Sequence, residues 1–187
     1  MQVMAQAAAE LRRTDEATQW SVRAGTLAAA IRARFARPDG GLSWYLDRHG
    51  RPAGRTEALG TALAVLLRVV RCQDARATIA AHPIDPARGV PVFWPFFDDE
   101  RCYHNLTSWP FVEAFFMRAR ERACHEPTAA LELALLARSC IDDGTFHEVV
   151  DWRSGRPGWS ASQLWTAAAF LGACHRAGLA IRWNRHA

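Results

Sequence analysis

A chain of 187 residues, half of them hydrophobic and 22% charged, has the composition of a folded protein and is long enough for one core, so a single domain spanning 1–187 is expected. The net charge of +4 comes from scattered arginines, with no lysine in the chain, which argues against nucleic acid as a partner. Arginines also break every apolar run before it reaches about 18 residues, which argues against a membrane span, and no signal-peptide pattern opens the chain, so a cytoplasmic location is expected.

The first predicted helix runs from Glu10 to Ala36. Thr14 is placed to cap it, Asp15 and Glu16 suit its first turn, and Pro38-Asp39-Gly40-Gly41 ends it. Trp20, Ala24, Leu27, Ile31 and Phe35 fall three or four residues apart, which marks a one-sided surface helix. The segment from Glu57 to Val70 is apolar on nearly all sides and belongs inside. A short amphipathic helix follows over Asp74 to Ala81. Next come an apolar helix over Thr107 to Ala123, an amphipathic one over Thr128 to Ile141 and an apolar one over Ser160 to His175.

Outer helix, long loop and inner helix thus occur three times, and the expected fold is all-α, three consecutive α-hairpins. The inner helices open at Thr56, Thr107 and Ser160, which are 51 and 53 residues apart (56 to 107, 107 to 160). A repeat of that length signals stacked hairpins, each unable to bury its apolar face alone. All three loops then lie on one rim. The five cysteines are odd in number and lack C-x-x-C spacing, so buried free thiols are expected.

Two stretches of the rim carry the polar and aromatic residues. One is Tyr103-His104-Asn105-Leu106-Thr107-Ser108-Trp109-Pro110-Phe111-Val112. The other joins Phe146-His147-Glu148, Trp152, Gly158-Trp159-Ser160 and Gln163-Leu164-Trp165. A carboxylate among Trp, Tyr, His, Asn and Gln suits sugars: aromatic faces stack on pyranose C–H faces, amides and imidazoles bond hydroxyls, and the carboxylate handles a proton. Trp94 and Trp152 are further stacking candidates. Gln163 has two readings, a sugar contact or the last member of a Ser160-Ala161-Ser162-Gln163 capping box. Asp98, Asp99 and Glu100 read as a solvated turn. No metal constellation, phosphate-binding glycine loop or G-x-S-x-G elbow occurs, so neither metal nor cofactor is expected.

These segments resemble the six-hairpin glycosidases, the (α/α)6-toroid superfamily of trehalases, glucoamylases, N-glycan-processing glucosidases and mannosylglycerate hydrolase-like enzymes. The resemblance rests on Tyr103-His104-Asn105 with Trp109-Pro110-Phe111-Val112, and on Phe146-His147-Glu148-Val149-Val150-Asp151-Trp152-Arg153-Ser154-Gly155 followed by Trp159-Ser160-Ala161. It extends to Glu57-Ala58-Leu59-Gly60. The resemblance implies an inverting glycoside hydrolase in which Glu148 is the general base. It also implies that Glu57, Tyr103, His104, Asn105, Trp109 and Trp165 line the pocket for an oligosaccharide or glycoside.

A ring of six hairpins at about 50 residues each needs roughly 300 residues. This chain has three, so it resembles the C-terminal half of such a toroid. The family's general acid lies in the other half, so the isolated chain is expected to be inactive without a partner chain or self-association to complete it. An apolar flank is expected where the preceding hairpin would pack. The alternative is a non-catalytic carbohydrate-binding or helical interaction protein, and a minor alternative is a sugar epimerase-like toroid using His104 and His147.

Overall fold

In the computed structural model the residues described are 1–99, 103–140 and 143–179. Glu100, Cys102 and Ile141, which figure in the expectations above, lie outside them. In chain order the elements are α1 (Gln2–Glu10), α2 (Thr14–Phe35), β1 (Thr56–Glu57), α3 (Ala58–Leu66), α4 (Cys72–Ala80), β2 (Phe93–Trp94), β3 (Thr107–Ser108), α5 (Pro110–Cys124), α6 (Ala129–Ala137) with a 3-10 turn over Arg138–Cys140, β4 (Val149–Asp151), β5 (Pro157–Gly158) and α7 (Leu164–Arg176).

The all-α expectation is overturned. The described residues are 51% helix and 10% strand, with two small antiparallel sheets, β1-β2 and β3-β4-β5. The cause lies in the long loops. Val92-Phe93-Trp94, Thr107 and Val149-Val150 are β-branched or aromatic, all of these segments except Trp94 are buried, and buried backbone N–H and C=O groups must find partners. They find them in one another.

Helix ends move for the same kind of local reason. The expected first helix is two, because Arg12 turns the chain with φ +59° between α1 and α2. Thr14 is the first residue of α2 and makes no side-chain cap. Helix α3 stops at Leu66: Arg68 adopts φ +58° and the Val69 N–H turns back to the Ala64 carbonyl. Helix α5 starts late because Thr107 and Ser108 pair as strand and Pro110 suits a first helical position. The capping box at Ser160 does not form: α7 begins at Leu164, and Gln163 is the N-cap without a side-chain bond. Glu57 caps α3 instead, accepting from the N–H groups of Leu59 (2.8 Å) and Gly60 (2.6 Å).

Helix α5 is the centre, packed against α3, α4, α6 and α7. Alanines 58 and 62 on α3 let the fully buried Phe116 and Met117 of α5 approach closely, with Val65, Ile79, Val90, Val112 and Leu135 around them. A smaller cluster of Ala114, Leu136 and Ala173 joins α5, α6 and α7. Two buried carboxylates brace these helices: Glu113 faces Arg138 at 3.3 Å and takes the Val90 N–H at 3.1 Å, and Glu132 pairs with Arg176. No residue of α2 is buried, and its main neighbour is α1. None of the described helices is long and apolar enough to cross a membrane. Of the four described cysteines, all free, only Cys174 is buried; Cys72 is exposed, against the expectation of buried thiols.

His82, two residues beyond α4, ties the outer layer to the loops. Its Nε2–H donates to the Pro91 carbonyl and its Nδ1 accepts from the Thr56 hydroxyl, both at 2.7 Å. Burial holds its pKa down at about 4, below the ordinary value of about 6.5. Between those values the unfolded chain binds the extra proton, so stability falls as pH drops through this window. From pH 7 to pH 5 this group removes roughly 2 kcal/mol of unfolding free energy. Urea titrations of the wild type and His82→Gln are expected to converge by that amount at pH 5; a constant gap would rule out the neutral imidazole clamp.

Candidate functional site

The loops that precede the inner helices are joined rung by rung into one antiparallel rim. The Trp44 N–H donates to the Arg55 carbonyl, and β1 pairs with β2 in the register Thr56 to Trp94 and Glu57 to Phe93. The Val92 N–H then donates to the Thr107 carbonyl, beside a bridge from Pro91 to Ser108. Strand β3 pairs with β4 (Thr107 to Asp151, Ser108 to Val150) and β4 with β5 (Val149 to Gly158). The Glu148 N–H reaches the Ser160 carbonyl at the last rung. Each of α3, α5 and α7 therefore starts from a position fixed by its neighbour.

This pairing brings the two predicted stretches together, 45 residues apart in sequence. The Tyr103 hydroxyl donates to Glu148 Oε2 at 2.5 Å. Around that pair, Trp159 meets Tyr103 edge-on with ring centres 4.6 Å apart, and Trp109 meets it at 5.3 Å. The His104 ring stacks on Trp109 at 4.9 Å and an interplanar angle of 19°. Trp109 buries an indole N–H that has no partner among the described residues. Glu57 flanks the group: its carboxyl is raised by burial, with the two capping N–H groups and then His104 acting in the opposite direction. Glu148 is half-buried, so a ring bound against these aromatics reaches its carboxylate.

Other predicted residues do different work. Asn105 is only 4% exposed and turns inward, taking the Phe97 N–H at 3.0 Å and donating to the carbonyls of Phe97 and Asp99. It is a clamp on the 97–99 loop. Trp152 is 8% exposed and packs on Phe96, which in turn meets Trp94, so these two tryptophans form a separate aromatic row. Trp165 stands one ring away from the group, against Phe111, which touches Trp109. Gln163 donates its backbone N–H to the Phe146 carbonyl at the start of α7. His147 bonds Asp143 at 3.0 Å. Asp151 closes a turn, accepting from the Ser154 hydroxyl and N–H at 2.7 Å each and from the Arg153 N–H at 3.1 Å.

Trp159, read in the sequence as part of the second stretch and of the Trp159-Ser160-Ala161 motif but given no pocket role there, is a full member of the group: it follows β5 with φ +62° and is 66% exposed. Trp44 was not read as a site residue. It meets Phe93 at 5.0 Å and Phe97 at 5.9 Å, and Phe93 meets His104 at 6.4 Å, so it extends the aromatic surface along the rim. Among the described residues no cluster of His, Cys, Asp and Glu is arranged to hold a metal.

Burial, the hydrogen bond to Glu148 and the charge of that carboxylate push the Tyr103 pKa up to about 12. In a Tyr45→Phe background Tyr103 is the sole tyrosine. Its tyrosinate absorbance is expected to titrate near that value, and Glu148→Gln is expected to bring it back toward about 10. An unchanged titration would break the pairing. The chain matches none of the protein-family models and none of the curated proteins with which it was compared.

Proposed function

We propose that this chain binds carbohydrate on the rim around Glu148, and that Glu148 is the general base of an inverting glycoside hydrolysis. The observation that carries the reading is the Tyr103–Glu148 hydrogen bond of 2.5 Å inside a cradle of Trp159, Trp109 and His104. The resemblance to the six-hairpin glycosidases agrees with it. In this reading a pyranose ring stacks on the exposed indole of Trp159. A water on the ring's far side from the leaving group attacks the anomeric carbon and gives its proton to the Glu148 carboxylate. The bond from that carbon to the leaving oxygen breaks, and the oxygen takes a proton from a second carboxyl group. Tyr103 occupies one oxygen of Glu148 and fixes the direction of the other.

Inversion requires the acid at about 6.5–9.5 Å from the base. Glu57, the other carboxylate of the aromatic group, already accepts two backbone N–H bonds at the start of α3. The acid therefore belongs to another segment or another chain, and these residues alone bind sugar without cleaving it. That places binding before catalysis as the test.

Calorimetric titration with gluco- and manno-oligosaccharides is expected to show binding that Trp159→Ala and Trp109→Ala weaken about tenfold, the loss of stacking worth roughly 0.5–1.5 kcal/mol plus contact area. Glu148→Gln is expected to keep affinity within a few-fold. Once an acid-bearing partner is present, that variant is expected to lose turnover by about 10²–10⁴. Full turnover in Glu148→Gln would remove the base assignment, and no binding by any of these sugars would remove the reading as a whole.

A further inference from the structure

Helices α5 and α7 both start at the rim and run away from it side by side. The seam between them is lined by small residues, Ala114 on α5 and Ala168, Ala169 and Gly172 on α7, and it is left unfilled as a cavity of about 280 Å3. A Cβ built at Gly172 would meet nothing within 4 Å.

The two ends of this cavity differ in chemistry. At the rim end Phe111 and Trp165 meet with ring centres 5.7 Å apart, and Phe115, 37% exposed, extends the aromatic wall. At the far end stand Arg118 and Arg176, close enough for their charges to repel each other. Seven helical positions separate Phe111 from Arg118, about 10 Å along the axis.

The charges at the far end are unbalanced. Arg176 is held from below by Glu132 of α6, a fully buried carboxylate that accepts from its Nη2. The Nε–H of Arg176 and Oε1 of Glu132 have no hydrogen-bond partner among the described residues. Glu121 also acts on Arg176, but it does not line the cavity and accepts from the Thr128 hydroxyl at 3.4 Å. Arg118 is exposed, and no described residue pairs with it. Two guanidinium groups against the one carboxylate that lines the cavity leave one positive charge unmatched. An anion seated there offsets the repulsion and accepts charge-assisted hydrogen bonds. An inorganic anion would leave the aromatic wall bare, whereas one with an apolar body fills the whole cavity.

We infer that the α5–α7 cavity binds a small monocarboxylate with an aromatic or short aliphatic body. Its carboxylate lies at Arg118 and Arg176, and its body lies along Phe115, Ala168 and Gly172 toward the Phe111–Trp165 contact. The site is separate from the rim: Trp165, expected in the sugar pocket, belongs to this cavity, and Trp159 has no part in it. Length and charge set the selectivity, since about 10 Å accommodates one ring on a short chain.

The test is calorimetric titration with 3-phenylpropionate, its neutral amide and inorganic phosphate. The wild type is expected to bind the acid at millimolar concentrations or below, and to bind the amide and phosphate at least tenfold more weakly. Arg118→Gln removes the unmatched charge at an exposed position and is expected to weaken the acid about tenfold or more. Gly172→Leu extends a side chain into the open space of a helix and is expected to abolish binding. Both variants are expected to keep the wild-type circular dichroism, and Trp159→Ala is expected to bind the acid as the wild type does. No binding by the wild type, equal binding of the amide or of phosphate, or full affinity in folded Arg118→Gln or Gly172→Leu would each overturn the inference. Loss of binding in Trp159→Ala would move the ligand to the rim and overturn it as well. None of these readings depends on whether the rim binds sugar.

Discussion

The constraint on which the structure depends is the backbone hydrogen bonding of its loops. Three long segments cross the same end of a helical layer, and part of each is buried there. Their amides have no water to turn to, so they pair in antiparallel rungs from Trp44 to Ser160. Each rung immediately precedes an inner helix, and the starts of α3, α5 and α7 are placed by it. The Tyr103–Glu148 contact follows: β3 and β4 are in register, so the side chains that flank them meet.

Below the rim, the layer is held by apolar packing around α5 and by two buried ion pairs. Such pairs contribute little net stability, because desolvation offsets most of their attraction. Burial outweighs Arg138 at Glu113, whose carboxyl is raised rather than lowered. Their value is directional: Glu113 accepts from Val90 just before β2, and Arg138 also donates to the Ala87 carbonyl at 2.6 Å. The middle of α5 is thereby fastened to the loop that leads to the rim.

The helices were legible because apolar periodicity survives over nine residues or more: α3 lies within the segment read as apolar, and α5 and α7 run one residue past theirs. Their ends were not, since Arg12, Arg68 and Ser162 adopt left-handed turns with nothing in their side chains to announce it. The strands were invisible because two or three residues carry no periodicity. At the site, Tyr103, His104, Trp109 and Glu148, which residue type and the resemblance to the six-hairpin glycosidases had pointed to, lie together in the structure. Asn105 and Trp152 were misjudged because polarity and aromaticity do not reveal which way a side chain turns. The same amide that would serve a sugar hydroxyl serves the Phe97 backbone equally well.

Gly89 lies against the Glu113–Arg138 pair, with φ +92°. A methyl group there would stand 1.5 Å from a Glu113 oxygen and 2.8 Å from an Arg138 nitrogen. Any larger residue is strained by that φ and has to push the Glu113 carboxyl away from Arg138 and the Val90 N–H. The rim aromatics bear no such burden, since Trp159 is held chiefly by one ring contact and can be exchanged without disturbing the core. The molecule thus separates what may drift from what may not: the rim aromatics can change one side chain at a time, while a single methyl group at position 89 must displace the carboxylate that ties α5 to the loop before β2.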